Sequence, residues 1–424
     1  MQPLVLFYDS FTITGYQKKQ KEGLRSFMGK KELFMKSILL KVENINRNRR
    51  DYLPMLVSFL VIAILLTIPT GYEDAIIYRG ADRCSARIKS VNNDNIIDTG
   101  LIRSGEQNCT VELLGGKFKG QQVEAFNLLN GSLESDKIFM IGDKALVVIN
   151  YQDDQILSVN LIDHYRIDKV AILAVAFIVF LILVAGRTGV SSIMAFTTTV
   201  LLIWKVLVPA YLKGYNPIFF GLLITVLLVV ITISLVYGFN GKTLSAVLGS
   251  SLGIIVTCLL GMIFTSAFKI HGAIMPNSES LLYSGYQNLS LTQIFMASIF
   301  IGSSGAIMDL AVDITSAVNE VIDKKPDISW QEACKSGMNV GRTAMGTMTT
   351  TLLLAYSGGY IALLMVFMAQ GTPIYNIVNY KYVSAEIIET IVGCFGLVTV
   401  APFTALTSGI LLTYKKKKAD VINT

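Results

Sequence analysis

Apolar residues in this chain gather into long runs separated by short polar turns, the pattern of helices that face hydrocarbon rather than water. The runs are Tyr52–Thr70, Val170–Ala185, Val190–Leu212, Ile218–Phe239, Thr243–Phe268, Ile294–Val318, Thr343–Met368 and Ile387–Tyr414. A helix needs ~20 mostly apolar residues to cross a bilayer core of ~30 Å. The pattern therefore predicts about eight transmembrane spans. Between the first and second runs the period changes. From Glu73 to Asp168 the segments AIIYR, SARIKSV, CTVELL, QQVEAF, ALVVINY and ILSVNLI are short, β-branched and partly alternating, with the turn-rich stretches NND, GGKFKG and IGDK between them. They predict a small β-barrel or sandwich, of the OB or SH3-like kind.

Composition agrees with a membrane solvent: 52% of residues are hydrophobic and 16% charged, against about 25% charged in soluble domains. The net charge of +6 does not point to nucleic acid, because the basic residues sit beside apolar runs rather than along one soluble face. Their distribution orients the chain instead. With the N-terminus inside, Arg47, Arg49, Arg50, Arg187, Lys242, Lys324, Lys325, Lys335, Arg342 and Lys415–Lys418 all fall in the cytoplasm. The outer loops hold Lys213, Lys269 and Lys381, and Lys205 lies close to an outer helix end. The expected fold class is thus an all-α polytopic bundle in the cell membrane, both termini cytoplasmic, with an extracytoplasmic β-insert. Its parts are a basic tail (1–51), a first span (52–70), the β-domain (71–168), a seven-helix domain (169–414) and a basic C-terminal tail (415–424). The first run follows a long basic segment and shows no small-residue cleavage site, so it is expected to remain as an anchor.

Chemistry-bearing residues are few. His164 and His271 are the two histidines, far apart and without metal-ligand spacing, which disfavours a metal site. No nucleophile, base and oxyanion set is legible, so neither an enzyme nor a cofactor is expected. Among the cysteines, Cys258 and Cys394 lie in apolar runs and Cys334 in a short polar loop, leaving Cys84 and Cys109 in the β-insert as the pair that could form a disulfide.

Three spans carry a pattern. The fifth places Ser245, Gly249, Gly253, Thr257, Gly261 and Thr265 at four-residue intervals, a ridge of small residues that lets a neighbouring backbone approach closely. The sixth, IGSSGAIMDLAVDITSAVNEV, puts Asp309 and Asp313 on one helix face with Gly302, Gly305, Ser316 and Glu320. A carboxylate within hydrocarbon costs ~2.5–3.5 kcal/mol even on the gentler insertion scale, so this face must look at protein or water. That makes the pair a candidate proton or cation carrier, with Asp309, midway along the run, expected to be buried against the seventh span. The competing reading is that both acids are solvated near the cytoplasmic end or paired there with Arg342. The seventh span offers a polar side of Asn339, Arg342, Thr343, Gly346, Thr347, Thr350 and Ser357, broadened by Thr349 and Thr351. Its YSGG at Tyr356–Gly359 permits a bend, and KKPDISWQEACKSGMN before it predicts a short interfacial helix begun by Asp327 or Ser329.

The segments GAIMDLAVDITSAVNEV and SGMNVGRTAMGTMTTTLLLAYSGG resemble the signature of the YibE/YibF-like membrane protein family, a likeness that extends from Tyr52 onward through the GKFKG and IGDKALV elements of the insert. The resemblance implies a multi-pass membrane protein and leaves its activity open. The order of Gly, Asp, amphipathic link and Gly/Thr-rich helix is also similar to the central helices of RND and SecD/SecF exporters, and implies a coupling role for Asp309. In that comparison Asp313 departs from the adjacent pairing of the exporters, and their large paired outer domains are missing.

Two functions follow as expectations. The first is a proton- or cation-coupled transporter or membrane machine, with Asp309 as carrier and Asp313 its partner. The second is a non-transport scaffold or complex subunit whose β-insert binds an extracytoplasmic protein partner, or which pairs with a homologous membrane subunit.

Overall fold

The computed structural model describes residues 53–72 and 80–423, so the basic tail and the AIIYR run lie outside the described residues. The chain divides into two units, Gly71–Gly189 and the remainder.

The first unit carries the β-insert. Its strands are β1 (Ala81–Asn92), β2 (Ile96–Asp98), β3 (Arg103–Leu113), β4 (Gln122–Asn130), β5 (Lys144–Gln152) and β6 (Gln155–His164). β1 pairs antiparallel with both β3 and β5, β5 with β6, and β4 joins β3 antiparallel and β6 parallel. Those pairings close a ring of five strands, with β2 a hairpin extension on the edge of β3. This is a five-stranded Greek-key barrel, the OB alternative of the two anticipated. Alternation supplies the core: Cys84, Ala86 and Ile88 of β1, Cys109, Val111 and Leu113 of β3, and Ala145, Val147 and Ile149 of β5 point inward with Phe118 and Phe139. One end is tied by a buried amide: Gln107 Nε2 donates to the Phe139 carbonyl at 3.0 Å and to Asn93 Oδ1 at 2.9 Å, while its Oε1 accepts from Phe139 N at 3.0 Å and Asn127 Nδ2 at 3.1 Å. A fully satisfied polar group of this kind fixes two loops without the penalty of an orphaned one.

Cys84 and Cys109 are both buried free thiols. The register explains why no disulfide joins them. Cys109 lies opposite Val91 of β1, seven residues along that strand from Cys84 (91 − 84). At ~3.4 Å per residue that separation is about 24 Å, far beyond the ~7 Å limit for bridged Cα atoms.

The helices are α1 (Leu53–Thr67), α2 (Ile167–Leu202), α3 (Val208–Leu212), α4 (Pro217–Tyr237), α5 (Gly241–Ala267), α6 (Ser278–Tyr283), α7 (Leu291–Lys324), α8 (Trp330–Ser357), α9 (Ile361–Ala369), α10 (Ile374–Asn379) and α11 (Lys381–Asn423). Six segments among the described residues are long and apolar enough to cross a membrane: Ile167–Leu212, Pro217–Tyr237, Gly241–Ala267, Leu291–Lys324, Trp330–Ala369 and Lys381–Lys416. The expected eight thus becomes six, for two physical reasons. Helix α1 has 15 described residues, Leu53–Thr67, fewer than the ~20 of a full crossing, and the chain just before it lies outside the described residues. The second and third apolar runs fall in one 46-residue stretch, two helices joined directly across a kink at Gly186, whose φ of 54° and ψ of −123° suit glycine alone. The interfacial helix expected before the seventh span is likewise continuous with it, begun by Ser329, whose side chain accepts from the Glu332 amide. The YSGG bend is a single 3₁₀ turn, Gly358–Tyr360, between α8 and α9.

In the second unit α5, α7 and α11 pack together, with α4 and α8 against them. Val229 and Ile233 of α4, Ala246 and Ile254 of α5, Phe300, Ile307, Leu310 and Ile314 of α7, and Leu397, Val400 and Ala401 of α11 share one core. The small-residue ridge of α5 is buried on α11. Thr407 Oγ1 donates to the Ser245 carbonyl at 3.0 Å, Gly249 meets Thr404, Thr257 meets Gly396, and a Cβ on Gly253 would come 3.0 Å from that of Val400. Gly261 turns to α7, 3.6 Å from Ile299 Cδ1 by the same measure.

Candidate functional site

Ile307, Leu310, Ala311, Ile314 and Val318 take the interior face of α7. At 100° per residue the opposite face is Gly302, Gly305, Asp309, Asp313, Ser316 and Glu320, and all six are exposed. The expectation that Asp309 is buried against the seventh span is therefore corrected: the apolar stripe wins the interior, and the acidic stripe points away from the chain's own bundle. The polar side of α8 does the same. Ala333, Gly337, Gly341 and Leu352 face inward, while Asn339, Arg342, Thr343, Gly346, Thr347 and Thr350 are exposed and Ser357 is half-buried.

The two stripes lie side by side in depth. A Cβ on Gly337 would come 2.6 Å from Val318 Cγ2, and one on Gly341 3.0 Å from Ile314 Cδ1, so the helices run antiparallel with Arg342 level with Asp313 and Gly346 level with Asp309. Both charged ends point outward, and among the described residues no ion pair joins Arg342 to either aspartate. The lower part of the α7 stripe is better held. Tyr237 Oη of α4 lies 2.5 Å from both Ser316 Oγ and the Val312 carbonyl, Glu320 pairs with Lys324 at 3.0 Å, and Asp323 with Lys416 at 3.0 Å. The α8 hydroxyls donate to their own helix, Thr343 to Asn339, Thr347 to Ala344 and Thr350 to Gly346, which leaves their oxygens free to accept.

A second acidic cluster lies outside the residues that the sequence pattern singles out. Glu386 and Glu389 are half-buried on α11. Ser298 Oγ of α7 lies 3.3 Å from Glu389 Oε1 as its donor, and the Tyr356 ring hangs over Gly302, where a Cβ would come 2.5 Å from its hydroxyl. Tyr356 and Tyr360 both lie close to the two glutamates. Glu386 Oε1 and Tyr356 Oη are shut off from solvent without a hydrogen-bond partner, a costly arrangement that active polar sites tolerate. The signal was present as an i,i+3 carboxylate pair in AEIIET. It was missed because the eighth apolar run was started at Ile387, which puts Glu386 outside it, whereas α11 begins at Lys381.

Ser298 also begins the α7 stripe, since 298, 302, 305, 309, 313, 316 and 320 advance by three or four residues and so follow one helix face. The glutamate cluster sits at one end of that line, Asp309 and Asp313 in its middle, and Glu320 at the other. No group of acids, cysteines and histidines among the described residues could hold a metal ion.

No curated protein and no solved structure matches the chain. The YibE/F-like protein family matches residues 173–414, a stretch that contains most of α2, α3 to α10 and most of α11 but neither α1 nor the barrel, so the likeness is narrower than one running from Tyr52. It spans more than half of the 424 residues, and the chain belongs to the YibE/F-like protein family.

Proposed function

We propose that this protein is a proton- or cation-coupled membrane transporter or membrane machine that uses the α7 stripe as its ion path. The observation that carries the reading is the placement of Asp309 and Asp313 on one face of a helix long enough to span the bilayer. Each such carboxylate costs a few kcal/mol in hydrocarbon, and ionisable residues inside membranes mark ion and proton pathways. Glu386 and Glu389 supply an entry group at the start of the stripe, and Ser298 to Asp309 is about 16 Å along the helix at ~1.5 Å per residue, a gap for ordered water to bridge. The similarity of the α7–α8 pattern to RND and SecD/SecF exporters supports the same roles, with Asp309 the carrier and Asp313 its partner.

The orientation belongs to this reading. Lys242, Lys324, Lys325, Lys335, Lys415 and Lys416 gather at one end of the helix bundle, since Gly241 meets Lys415 and Lys416 pairs with Asp323. By the positive-inside rule that end is cytoplasmic. The charge pattern of the sequence puts the N-terminus inside as well and residues 71–168 outside, an arrangement that requires α1 to cross and the 46-residue stretch Ile167–Leu212 to cross twice, once on each side of Gly186.

A second reading is favoured by the outward direction of both polar stripes: a subunit whose α7–α8 face docks in a larger membrane assembly and moves no ion. Flux in vesicles separates the two, because loss of flux in Asp309→Asn supports transport and an ion-tight wild-type protein supports the docking role.

A further inference from the structure

The α7 and α8 stripes leave the protein with an unmatched surface inside the membrane. Asp309 and Asp313 point away from the bundle with no basic residue on their stripe, and Arg342 points away with no acid on its own. Lipid satisfies neither, since hydrocarbon offers no counter-charge and no hydrogen bonds. Both stripes are also notched: a Cβ on Gly305 or on Gly346 would meet nothing within 4 Å. Small residues at such positions let a foreign helix approach closely.

We propose that these two stripes form a two-fold interface with a second copy of this chain, in which Arg342 of each copy pairs with the partner's Asp313. Depth and sign of charge both match across such an interface. Copies of one membrane protein share one orientation, so their symmetry axis runs along the membrane normal and every residue keeps its depth in the partner. The contact of Gly341 with Ile314 puts Arg342 and Asp313 at one level within the chain, and therefore at one level between chains. An acidic α7 beside a basic α8 is self-complementary, as an isologous contact requires. The same docking sets Asp309 opposite the partner's Gly346 and the partner's Thr350, and the hydroxyl oxygen of that threonine is free to accept a hydrogen bond from a neutral carboxyl group. The aspartates thus gain protein surroundings that one chain does not give them. This inference rests on the two outward stripes and stands whether or not ions move along them.

The test uses full-length protein with Cys334 and Cys394, the partly exposed native thiols, changed to serine. Two differently tagged copies, one Asp313→Cys and the other Arg342→Cys, are co-expressed and oxidised in native membranes. The expected product is a disulfide-linked pair that carries both tags. A copy with Leu223→Cys, exposed on α4, serves as control. Absence of the two-tag product overturns the proposal, as does equal cross-linking by the control. A product carrying one tag at another mass also overturns it, in favour of a different subunit. In parallel, Asp313→Arg or Arg342→Asp alone is expected to weaken self-association by about tenfold or more, as loss of one member of a desolvated pair does. The double exchange in one chain is expected to restore it. Self-association that is unaffected by the single changes contradicts the pairing, and failure of either test leaves the ion-coupling reading standing on its own flux measurement.

Discussion

The Ser298 hydroxyl on α7, which donates to the Phe295 carbonyl at 2.7 Å, also reaches Glu389 Oε1 on α11 at 3.3 Å as a shared, longer contact, and so joins the acidic pair of α11 to the first position of the polar stripe on α7. If that junction is the entry of the ion path, Glu389→Gln keeps the volume and the hydrogen bond while removing the charge. Coupled flux in vesicles is expected to fall at least about tenfold, in the lower range for losing a proton-transfer group, with expression and thermal stability unchanged. Equal flux across the pH range in the two proteins would assign Glu389 to packing alone.

The contact between α5 and α11 gives a stability prediction. Gly253 sits where an added Cβ would be 3.0 Å from the Val400 Cβ and 3.3 Å from the Gly396 carbonyl oxygen. Gly253→Leu must part the two helices, at a cost of the order of 1–3 kcal/mol or more for overpacking. A melting temperature in detergent several degrees below wild type is expected. An unchanged melting curve would show that the ridge does not bear on the α11 contact.

The barrel offers a pH-dependent prediction free of the membrane. Burial pushes the Cys109 thiol from 9.0 up to about 11, because a thiolate is poorly solvated in the apolar barrel core. The folded pKa is raised above the unfolded one, so the contribution is fully present below about pH 9 and is lost as the pH rises through about 11. Alkylation of Cys109 by iodoacetamide is expected to be slow at pH 8 and to accelerate across that window, with loss of barrel structure following modification. Reaction at pH 8 at the rate of a free thiol would contradict the burial.

Topology is tested at the turn between β3 and β4. Lys119 is exposed there, and Lys119→Cys is expected to react with an impermeant maleimide in intact cells if residues 71–168 lie outside. Labelling only after lysis would reverse the orientation.

Most of the architecture was legible in the sequence because its signals are local. Alternation in CTVELL and ALVVINY gave β3 and β5, Ser329 was one of the two starts offered for the helix that turns out to open α8, and the four-residue repeat from Ser245 marked a packing face. What escaped was set by tertiary choice. Periodicity shows that Asp309 and Leu310 lie on different faces, but which face meets the bundle depends on the neighbours, and Leu310 is the buried one. Hydropathy likewise counts apolar runs, yet whether Val170–Ala185 and Val190–Leu212 are two helices or one segment broken at Gly186 depends on a backbone torsion. The glutamates of α11 were lost through a boundary drawn a turn and a half inside the helix, at Ile387 instead of Lys381.

The central claim is that Asp309 carries the coupled ion. The most direct measurement is proton-gradient dissipation by purified protein in sealed vesicles, with sodium and potassium as alternative ions, comparing wild type with Asp309→Asn. Asparagine preserves shape and hydrogen bonding but cannot take up or release a proton, so the account predicts flux in the wild-type vesicles and none above empty vesicles in the variant, with both proteins inserted and folded alike. Full, pH-dependent flux in Asp309→Asn would contradict it.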